Sequence, residues 1–299
     1  MRKPFQTLFM MIFLMILFLA GPVMSKDIDE KEKMIAKVEN NLLPFVLIKD
    51  EPGFNLWERM KYYKVPGISI VVIKNYKIDW IKHYGVTDAE TRQPVTGDTL
   101  FNIGSLSKGV ASLGILRLVR EGKIDLDKDV NKQLTSWKIP ENEFTAKAKT
   151  TPRLLMNHSG GVMFSPPFSY LPGNMPTLLQ LLKGEKPARS KPVIIDRVPG
   201  SGFQYSNAGF SILQQLAIDV EKKPFEDILR DKVFKPLDMK DSSFCQPLPK
   251  DLLARAAAGH DAAGRTLTVK RYVYPIMAAG GVAGAGADPA QHTGEHVVL

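Results

Sequence analysis

The chain has 299 residues, of which 44% are apolar and 24% charged, and it carries a formal net charge of +9. This length is sufficient to bury a sizeable core, and the apolar fraction excludes wholesale disorder, collagen-like repeats and a multi-span membrane protein. The single cysteine, Cys245, excludes an intramolecular disulfide framework and a zinc site built from several cysteines.

Residues 1–25 predict a secretory signal peptide. Arg2 and Lys3 precede an unbroken apolar run of 13 residues, 8–20, which a Gly-Pro pair terminates. A spanning helix needs about 18 such residues, whereas a charged start, a short apolar middle and small residues at the end are typical of export signals. An uncleaved membrane anchor is the alternative. We therefore predict a periplasmic or secreted protein whose membrane contact is through this segment only.

The remaining basic residues are dispersed among acidic ones. Loss of Arg2 and Lys3 with the signal peptide would lower the net charge from +9 to +7. Because no long basic run alternates with aromatic residues, the charge predicts a solvated basic surface and no nucleic-acid partner. Weak attraction to anionic lipid or cell-wall polymer is the alternative.

The next stretch predicts two helices followed by a β-hairpin. Residues 34–48 carry apolar side chains at helical spacing and predict a helix that ends near Pro44. A second short helix is predicted over 55–63. Two runs rich in β-branched and aromatic residues, 68–73 and 78–84, predict the strands of a hairpin. Because the first run is apolar throughout, it predicts a strand that is buried on both faces of a sheet.

Helical patterns dominate from Ser105 onward. The first predicted helix runs from Ser105 to Gly122, with the apolar residues Val110, Leu113, Leu116 and Leu118 on one face. Further predicted helices cover 152–157, 175–182, 208–220 and 224–239.

The end of the chain is rich in alanine and glycine. From Ala278 to Ala290, 10 of 13 residues are Ala or Gly, and such a stretch offers few side chains for packing. We therefore predict a domain over 26–281 and an atypical tail over 282–299. Because an isolated two-stranded sheet is marginal in water, either 255–277 holds further strands, for which 266–269 and 272–274 are candidates, or the sheet is incomplete.

Ser105 and Lys108 form a Ser-x-x-Lys sequence at the start of the predicted helix. Residues at i and i+3 share one helix face, and a nearby amine can remove the proton from a serine hydroxyl. The N–H groups of a helix N-terminus can also stabilise negative charge on a substrate oxygen. The alternative interpretation is structural, with Ser105 as a helix cap and Lys108 in solvent.

Tyr205 and Asn207 stand two residues apart in a turn that opens the predicted helix over 208–220. Both side chains can project into one cleft. A tyrosine whose pKa is lowered by nearby cations from about 10 can transfer protons, and an asparagine offers a donor and an acceptor to an amide or ester carbonyl. The alternative interpretation places Tyr205 at the rim of the core and makes Asn207 a helix N-cap.

These residues belong to a longer series of motifs that occur in one order. The series comprises Val65–Ser69, Gly85–Asp88, Asp98–Lys108, Leu154–Gly161, Pro199–Gly209, Pro236–Met239 and Ala278–Gly281. Together the motifs resemble the serine β-lactamase and penicillin-binding-protein superfamily, specifically its class C β-lactamase-like branch of serine hydrolases, esterases and D-amino-acid-specific peptidases. The resemblance covers about residues 55–281.

The resemblance implies a fold and a catalytic set. The fold is α/β (α+β), with an antiparallel sheet flanked by helices, an all-helical domain and the cleft between them. Ser105 is implied as the acylated nucleophile, whose backbone N–H forms half of an oxyanion hole, and Lys108 as its proton acceptor or electrostatic partner. Tyr205 is implied to pass the proton to the leaving group, and Asn207 to hold the substrate amide. His158 is implied to be structural, and neither a metal nor an organic cofactor is implied.

One motif of the family departs from the expected position. The family places a Lys/His-Thr/Ser-Gly box on a strand that lines the cleft and supplies the second oxyanion donor. His292-Thr293-Gly294 spells such a box, but only 10 residues separate it from Gly281, where the family has several dozen. We therefore expect a truncated or frameshifted C-terminus that lacks the last strands.

Two functions follow from the sequence, and a third hypothesis, a structural envelope protein that uses the basic surface, rests on the charge alone. The first is a secreted serine hydrolase that cleaves an amide or ester, with a β-lactam, a D-Ala peptide or a small ester as substrate, through an acyl-serine intermediate. The second is a truncated, catalytically impaired homologue that only binds peptidoglycan-like ligands.

Overall fold

The computed structural model describes residues 28, 30–46, 48–49, 52–164 and 169–285. The chain divides into two compact units, with the division between Val65 and Pro66. The predicted signal peptide and the triplet His292-Thr293-Gly294 lie outside the described residues. Within the described ranges, no helix has the length and apolar character needed to cross a membrane.

In its described part, the first unit contains two helices, α1 (30–39) and α2 (Leu56–Tyr63). The structure confirms the second predicted helix, which Asn55 caps by accepting a hydrogen bond from the N–H of Glu58. The first predicted helix is too long, because α1 stops before Asn40. There the carbonyl of Ala36 accepts two hydrogen bonds from Asn40, one from its backbone N–H at 3.1 Å and one from its side-chain amide at 2.7 Å.

The second unit begins with the predicted hairpin, formed by β1 (Gly67–Lys74) and β2 (Lys77–Gly85) in antiparallel pairing. Asn75 and Tyr76 both have positive φ, as a tight hairpin turn with matching twist requires. The predicted burial of the first strand is wrong: every residue of β1 is half-buried or exposed. Among the described strands, only β2 pairs with β1, and neither face of this sheet is covered deeply enough to bury a β1 side chain.

Most of the regular secondary structure of the second unit is helical. The two longest are α3 (Ser107–Arg120), which follows a 3₁₀ turn over Gly104–Leu106, and α7 (Asn207–Glu221), most of whose residues are buried. The shorter helices are α4 (Glu143–Lys147), α5 (Pro152–Met156), α6 (Leu178–Lys183), α8 (Phe225–Leu229), α9 (Lys250–Ala254) and α10 (Met277–Gly280). A π-helical turn, Arg230–Phe234, continues α8. The helix predicted over 175–182 starts later because Thr177 caps α6.

The buried face of α3 differs from the predicted one. Of the four predicted apolar residues only Leu118 is buried, and the buried set is Ser107, Lys108, Ala111, Gly114, Ile115 and Leu118. A Cβ on Gly114 would lie 2.6 Å from Cδ1 of Leu229. Because Gly114 has no side chain, α3 can pack closely against Leu229 at the end of α8. The face of α3 that is buried is therefore the one that carries small residues.

A second sheet was not predicted. Its strands β3 (Leu100–Asn102), β4 (Ser242–Ser243) and β5 (Ala283–Ala285) lie in the order β3-β5-β4 and are antiparallel. The candidate strands within 255–277 form only isolated bridges in the described structure. The mixed fold with small antiparallel sheets agrees with the predicted α+β class.

The described part of the alanine- and glycine-rich segment, 278–285, is part of the core. Ala278, Ala279 and Val282 are at most 2% exposed, and α10 packs against α3 and α7. Small side chains permit this close packing, and the expectation of poor packing is wrong for 278–285. The predicted boundary after Gly281 falls inside this unit, because β5 pairs with strands on both sides.

Candidate active site

Ser105 lies in the 3₁₀ turn that leads into α3. Gly104 adopts a positive φ of 54°, and its N–H donates to Oδ1 of Asn102 at 2.9 Å, which fixes the approach to the turn. The side chain of Ser105 is exposed and does not cap α3. The capping interpretation of Ser105 is therefore wrong, and its hydroxyl is available to a substrate.

Lys108 is buried beneath the turn, and its side-chain amine donates hydrogen bonds to three acceptors. Its Nζ donates to Oγ of Ser105 at 3.2 Å, to Oδ1 of Asn207 at 2.8 Å and to the carbonyl oxygen of Ala279 at 2.6 Å. The residue is 6% exposed, so the interpretation as a solvated lysine is wrong. Three acceptors match the three N–H bonds of an ammonium group.

The phenol of Tyr205 meets the hydroxyl of Ser105. The two oxygens are 2.7 Å apart although the residues are 100 positions apart in sequence. Nζ of Lys108 lies 4.9 Å from the centroid of the Tyr205 ring. Burial alone would raise the pKa of Tyr205, but the interactions with Lys108 and Ser105 outweigh burial and hold this pKa below 10. The phenol therefore gives up its proton more readily than a free tyrosine.

Asn207 is the first residue of α7, and its side chain belongs to the site. The N-cap of α7 is Ser206, whose Oγ accepts from the N–H of Gly209 at 3.2 Å. The capping interpretation of Asn207 is therefore wrong. Its buried amide oxygen accepts from Lys108, which places the side chain beside the serine and the tyrosine. A contact between Asn207 and a substrate amide stays a prediction.

His158 supports the turn that carries Tyr205. Its Nδ1 accepts from the N–H of Ser206 at 3.2 Å, and its carbonyl accepts from the N–H of Gln204 at 2.8 Å. Burial, together with the positive charge of Lys108, lowers the pKa of His158 from 6.5. The geometry agrees with the structural role that the sequence implied for this residue.

The carbonyl of Ala279 is the member of the site that sequence reasoning missed. It lies in α10 and accepts the shortest of the three hydrogen bonds from Lys108. A backbone carbonyl leaves no side-chain signature, so no sequence pattern could have identified it. Its presence ties the alanine-rich segment directly to the reactive lysine.

The site also offers one donor to a developing oxyanion. The N–H of Ser105 is in the first turn of a helical segment, where backbone N–H groups have no intrahelical acceptor. The segment predicted to supply a second donor lies outside the described residues. Within the described ranges, no group of three or more His, Cys, Asp or Glu residues could hold a metal ion. Each group of the site named above belongs to a side chain or to the backbone of this chain.

Comparison with known proteins gives a consistent match. The model of the Beta-lactamase family matches residues 55–292. Protein flp of Staphylococcus aureus strain N315 is 26% identical over 210 residues, which is 69% of this chain and 40% of that protein. A Beta-lactamase of Pseudomonas fluorescens is 25% identical over 70% of this chain and 54% of its own length.

A solved structure has the same fold. The octameric penicillin-binding protein homologue from Pyrococcus abyssi superposes with a TM-score of 0.58 and 26% identity, over 79% of this chain and 53% of the other. The chain therefore spans about half the length of these three proteins. The match to the family covers Ser105, Lys108, Tyr205 and Asn207.

Proposed function

The chain belongs to the Beta-lactamase family, and we propose that it is an exported serine hydrolase that cleaves an amide or ester through an acyl group on Ser105. The family and its structural neighbours are serine hydrolases that act on amides or esters. The observation that carries the proposal for this chain is the 2.7 Å contact between Oγ of Ser105 and Oη of Tyr205, above the buried amine of Lys108.

The first step is removal of the proton from Ser105. Because Oγ of Ser105 accepts a hydrogen bond from Lys108, its own proton is free to point at Oη of Tyr205. The lowered pKa of Tyr205 increases the fraction of phenolate that can accept this proton. In this assignment Lys108 supplies positive charge, and Tyr205 is the base.

The serine oxygen then attacks the substrate carbonyl. A bond forms between Oγ of Ser105 and the carbonyl carbon, and the N–H of Ser105 donates to the oxygen that becomes negative. The proton held by Tyr205 passes to the leaving amine or alcohol as that bond breaks. In the second half of the reaction, water gives a proton to Tyr205 and attacks the acyl carbon. The bond between this carbon and Oγ of Ser105 then breaks, Oγ takes the proton from Tyr205, and the carboxylic acid leaves.

The proposed substrates are a β-lactam, a D-Ala peptide or a small ester. The names of two relatives, a beta-lactamase and a penicillin-binding protein homologue, support the first two. In each case the susceptible group is a carbonyl that an exposed serine can reach. We assign substrate contact to the amide of Asn207, and its hydrogen bond from Lys108 beside Ser105 supports this assignment.

Covalent labelling tests the proposal. The chain is incubated with a fluorescent penicillin and, separately, with a fluorophosphonate, and the labelled peptide is identified by mass spectrometry. We expect label on Ser105, with none on the Ser105→Ala variant. The matched control is Ser112→Ala, which alters a half-buried serine of α3, the helix that follows Ser105, and should label like the wild type. A folded protein without an adduct at Ser105 would refute the acyl-serine step.

Turnover separates the hydrolase from a protein that only binds. Hydrolysis of a chromogenic cephalosporin and of a p-nitrophenyl ester is measured for the wild type and for Ser105→Ala. Activity that disappears in the variant supports the hydrolase. Saturable binding of peptidoglycan fragments with no turnover of either substrate would instead support the impaired homologue.

Export is tested independently of catalysis. The full chain is expressed in a bacterial host, and the N-terminus of the protein recovered from the periplasm is sequenced. We expect a mature N-terminus near residue 26. Intact chain that stays in the membrane fraction would support the anchor in place of the signal peptide.

A further inference from the structure

A cavity of about 540 Å³ lies in the second unit, apart from the residues of the candidate active site. Its polar lining includes Asp88, Lys270 and Arg271, and its apolar lining includes Pro247, Leu248 and Val273. This volume is in the range of pockets that bind small organic molecules. None of the catalytic steps proposed for Ser105 uses these residues.

Arg271 brings an uncompensated positive charge to this cavity. Its Nη1 donates to the carbonyl of Ala257 at 3.0 Å. Among the described residues, no carboxylate forms an ion pair with it. Burial lowers the pKa of Arg271 from its ordinary value, yet an arginine stays protonated in proteins. A guanidinium has five N–H bonds, so most of its donors stay available to a ligand.

The other charges of the cavity cancel. Nζ of Lys270 donates to the buried carboxylate of Asp88 at 2.7 Å, and Thr266 donates to the second oxygen of the same carboxylate. Lys270 is therefore neutralised by Asp88, and the lining keeps one net positive charge, that of Arg271. One positive charge matches a singly charged anion better than a phosphate dianion.

We propose that this cavity is a binding site for a carboxylate that carries a short apolar chain. The planar fork of Arg271 binds the carboxylate through two parallel hydrogen bonds. The apolar wall formed by Pro247, Leu248 and Val273 holds the chain, whose burial supplies the rest of the affinity. The site is independent of Ser105, and its test does not depend on catalysis.

Isothermal titration calorimetry with octanoate tests this site. The comparison ligands are octanol, which lacks the charge, and octyl phosphate, which carries a larger one. We expect octanoate to bind with one-to-one stoichiometry, at least 10-fold more tightly than octanol and more tightly than octyl phosphate. Equal affinity for octanoate and octanol would overturn the proposal, and a preference for octyl phosphate would overturn the assignment to a carboxylate.

Variants locate the site. Arg271→Met keeps the length of the side chain but removes its charge, and we expect it to bind octanoate at least 10-fold more weakly. The matched control is Arg265→Met, which removes an exposed arginine paired with Asp261 and should bind like the wild type. Unchanged binding by Arg271→Met would refute the site. Should that variant fail to fold by circular dichroism, Arg271→Lys keeps the charge without the fork, and we expect an intermediate loss; binding equal to wild type would refute the bidentate contact.

Discussion

The imidazole of His158 lies against the phenol ring of Tyr205, with ring centroids 4.5 Å apart and the planes inclined by 35°. The same imidazole accepts a hydrogen bond through Nδ1 from the N–H of Ser206, the residue next to the tyrosine. The side chain of His158 therefore positions both the backbone next to Tyr205 and the phenol ring of Tyr205, which faces Ser105. This acceptor role requires that Nδ1 of His158 carries no proton.

The first prediction concerns the pH dependence of stability at His158. Burial and the charge of Lys108 lower its folded-state pKa below 6.5. The contribution of the neutral His158 imidazole to the free energy of unfolding is therefore fully present above about pH 6.5. It is lost as the pH falls through the lower pKa of the folded state. Urea unfolding of the wild type should show a loss of stability over this range.

The His158→Asn variant isolates this effect. Asparagine keeps an acceptor near Nδ1 and tolerates the positive φ of 63° at this position, but it does not titrate. We expect the acid-side loss of stability to be smaller in the variant, and kcat for ester hydrolysis to fall because the support of Tyr205 is weakened. Identical pH profiles for the two proteins would contradict this account.

The second prediction concerns Tyr205 as the proton acceptor. Tyr205→Phe keeps the ring that packs against His158 and removes the hydroxyl, and we expect kcat for ester hydrolysis to fall by about 10²–10⁴-fold. Because the phenolate is the active form, the wild-type rate should rise with pH through an apparent pKa below 10, and the variant should lack this rise.

Tyr76→Phe is the control for this measurement, because Tyr76 is exposed in the hairpin turn. It should retain both the wild-type rate and the wild-type pH profile. A Tyr205→Phe variant that keeps the alkaline rise would remove Tyr205 from the role of base.

The third prediction concerns the anchoring of the alanine-rich segment. Ser107 is fully buried, and its Oγ accepts from the N–H of Val282 at 3.0 Å. In Ser107→Ala this N–H loses its partner inside the core, and we expect the free energy of unfolding to fall by about 1–3 kcal/mol. Urea denaturation measures this change. Ser112→Ala, on the same helix, should change stability by less than about 0.5 kcal/mol, and equal effects would show that the hydrogen bond contributes nothing.

The fourth prediction compares two glycines with the same backbone angle. Gly161 and Gly122 have φ of 70° and 71°, so alanine at either position is strained by about 1–2 kcal/mol. A Cβ on Gly161 would also lie 2.4 Å from the carbonyl oxygen of Arg197, whereas one on Gly122 meets nothing within 4 Å. We expect Gly161→Ala to lower Tm further than Gly122→Ala by the equivalent of about 1–3 kcal/mol. Similar values of Tm would argue against the close packing at Gly161.

Local patterns predicted those elements whose stability depends on near neighbours in sequence. The hairpin of β1 and β2 and the helices α2 and α7 were predicted because runs of β-branched residues, or apolar residues at helical spacing, lie within the segment itself. The small sheet was not predicted. Its central strand, β5, consists of Ala-Gly-Ala, a sequence with little intrinsic strand preference that pairs only because the folded core brings β3 and β4 to it.

The candidate site divides in the same way. The order of the motifs along the chain, and the chemical character of Ser105, Lys108, Tyr205 and Asn207, were determined by the sequence alone. The packing of α3, α7 and α10 decided which of these side chains touch. It also made the carbonyl of Ala279 the third acceptor of Lys108. Hydrogen bonds between residues about 100 or more positions apart form only when the core fixes the helices against one another. For that reason the motifs and their spacing could identify these groups as candidates, but only the tertiary structure could bring them into contact.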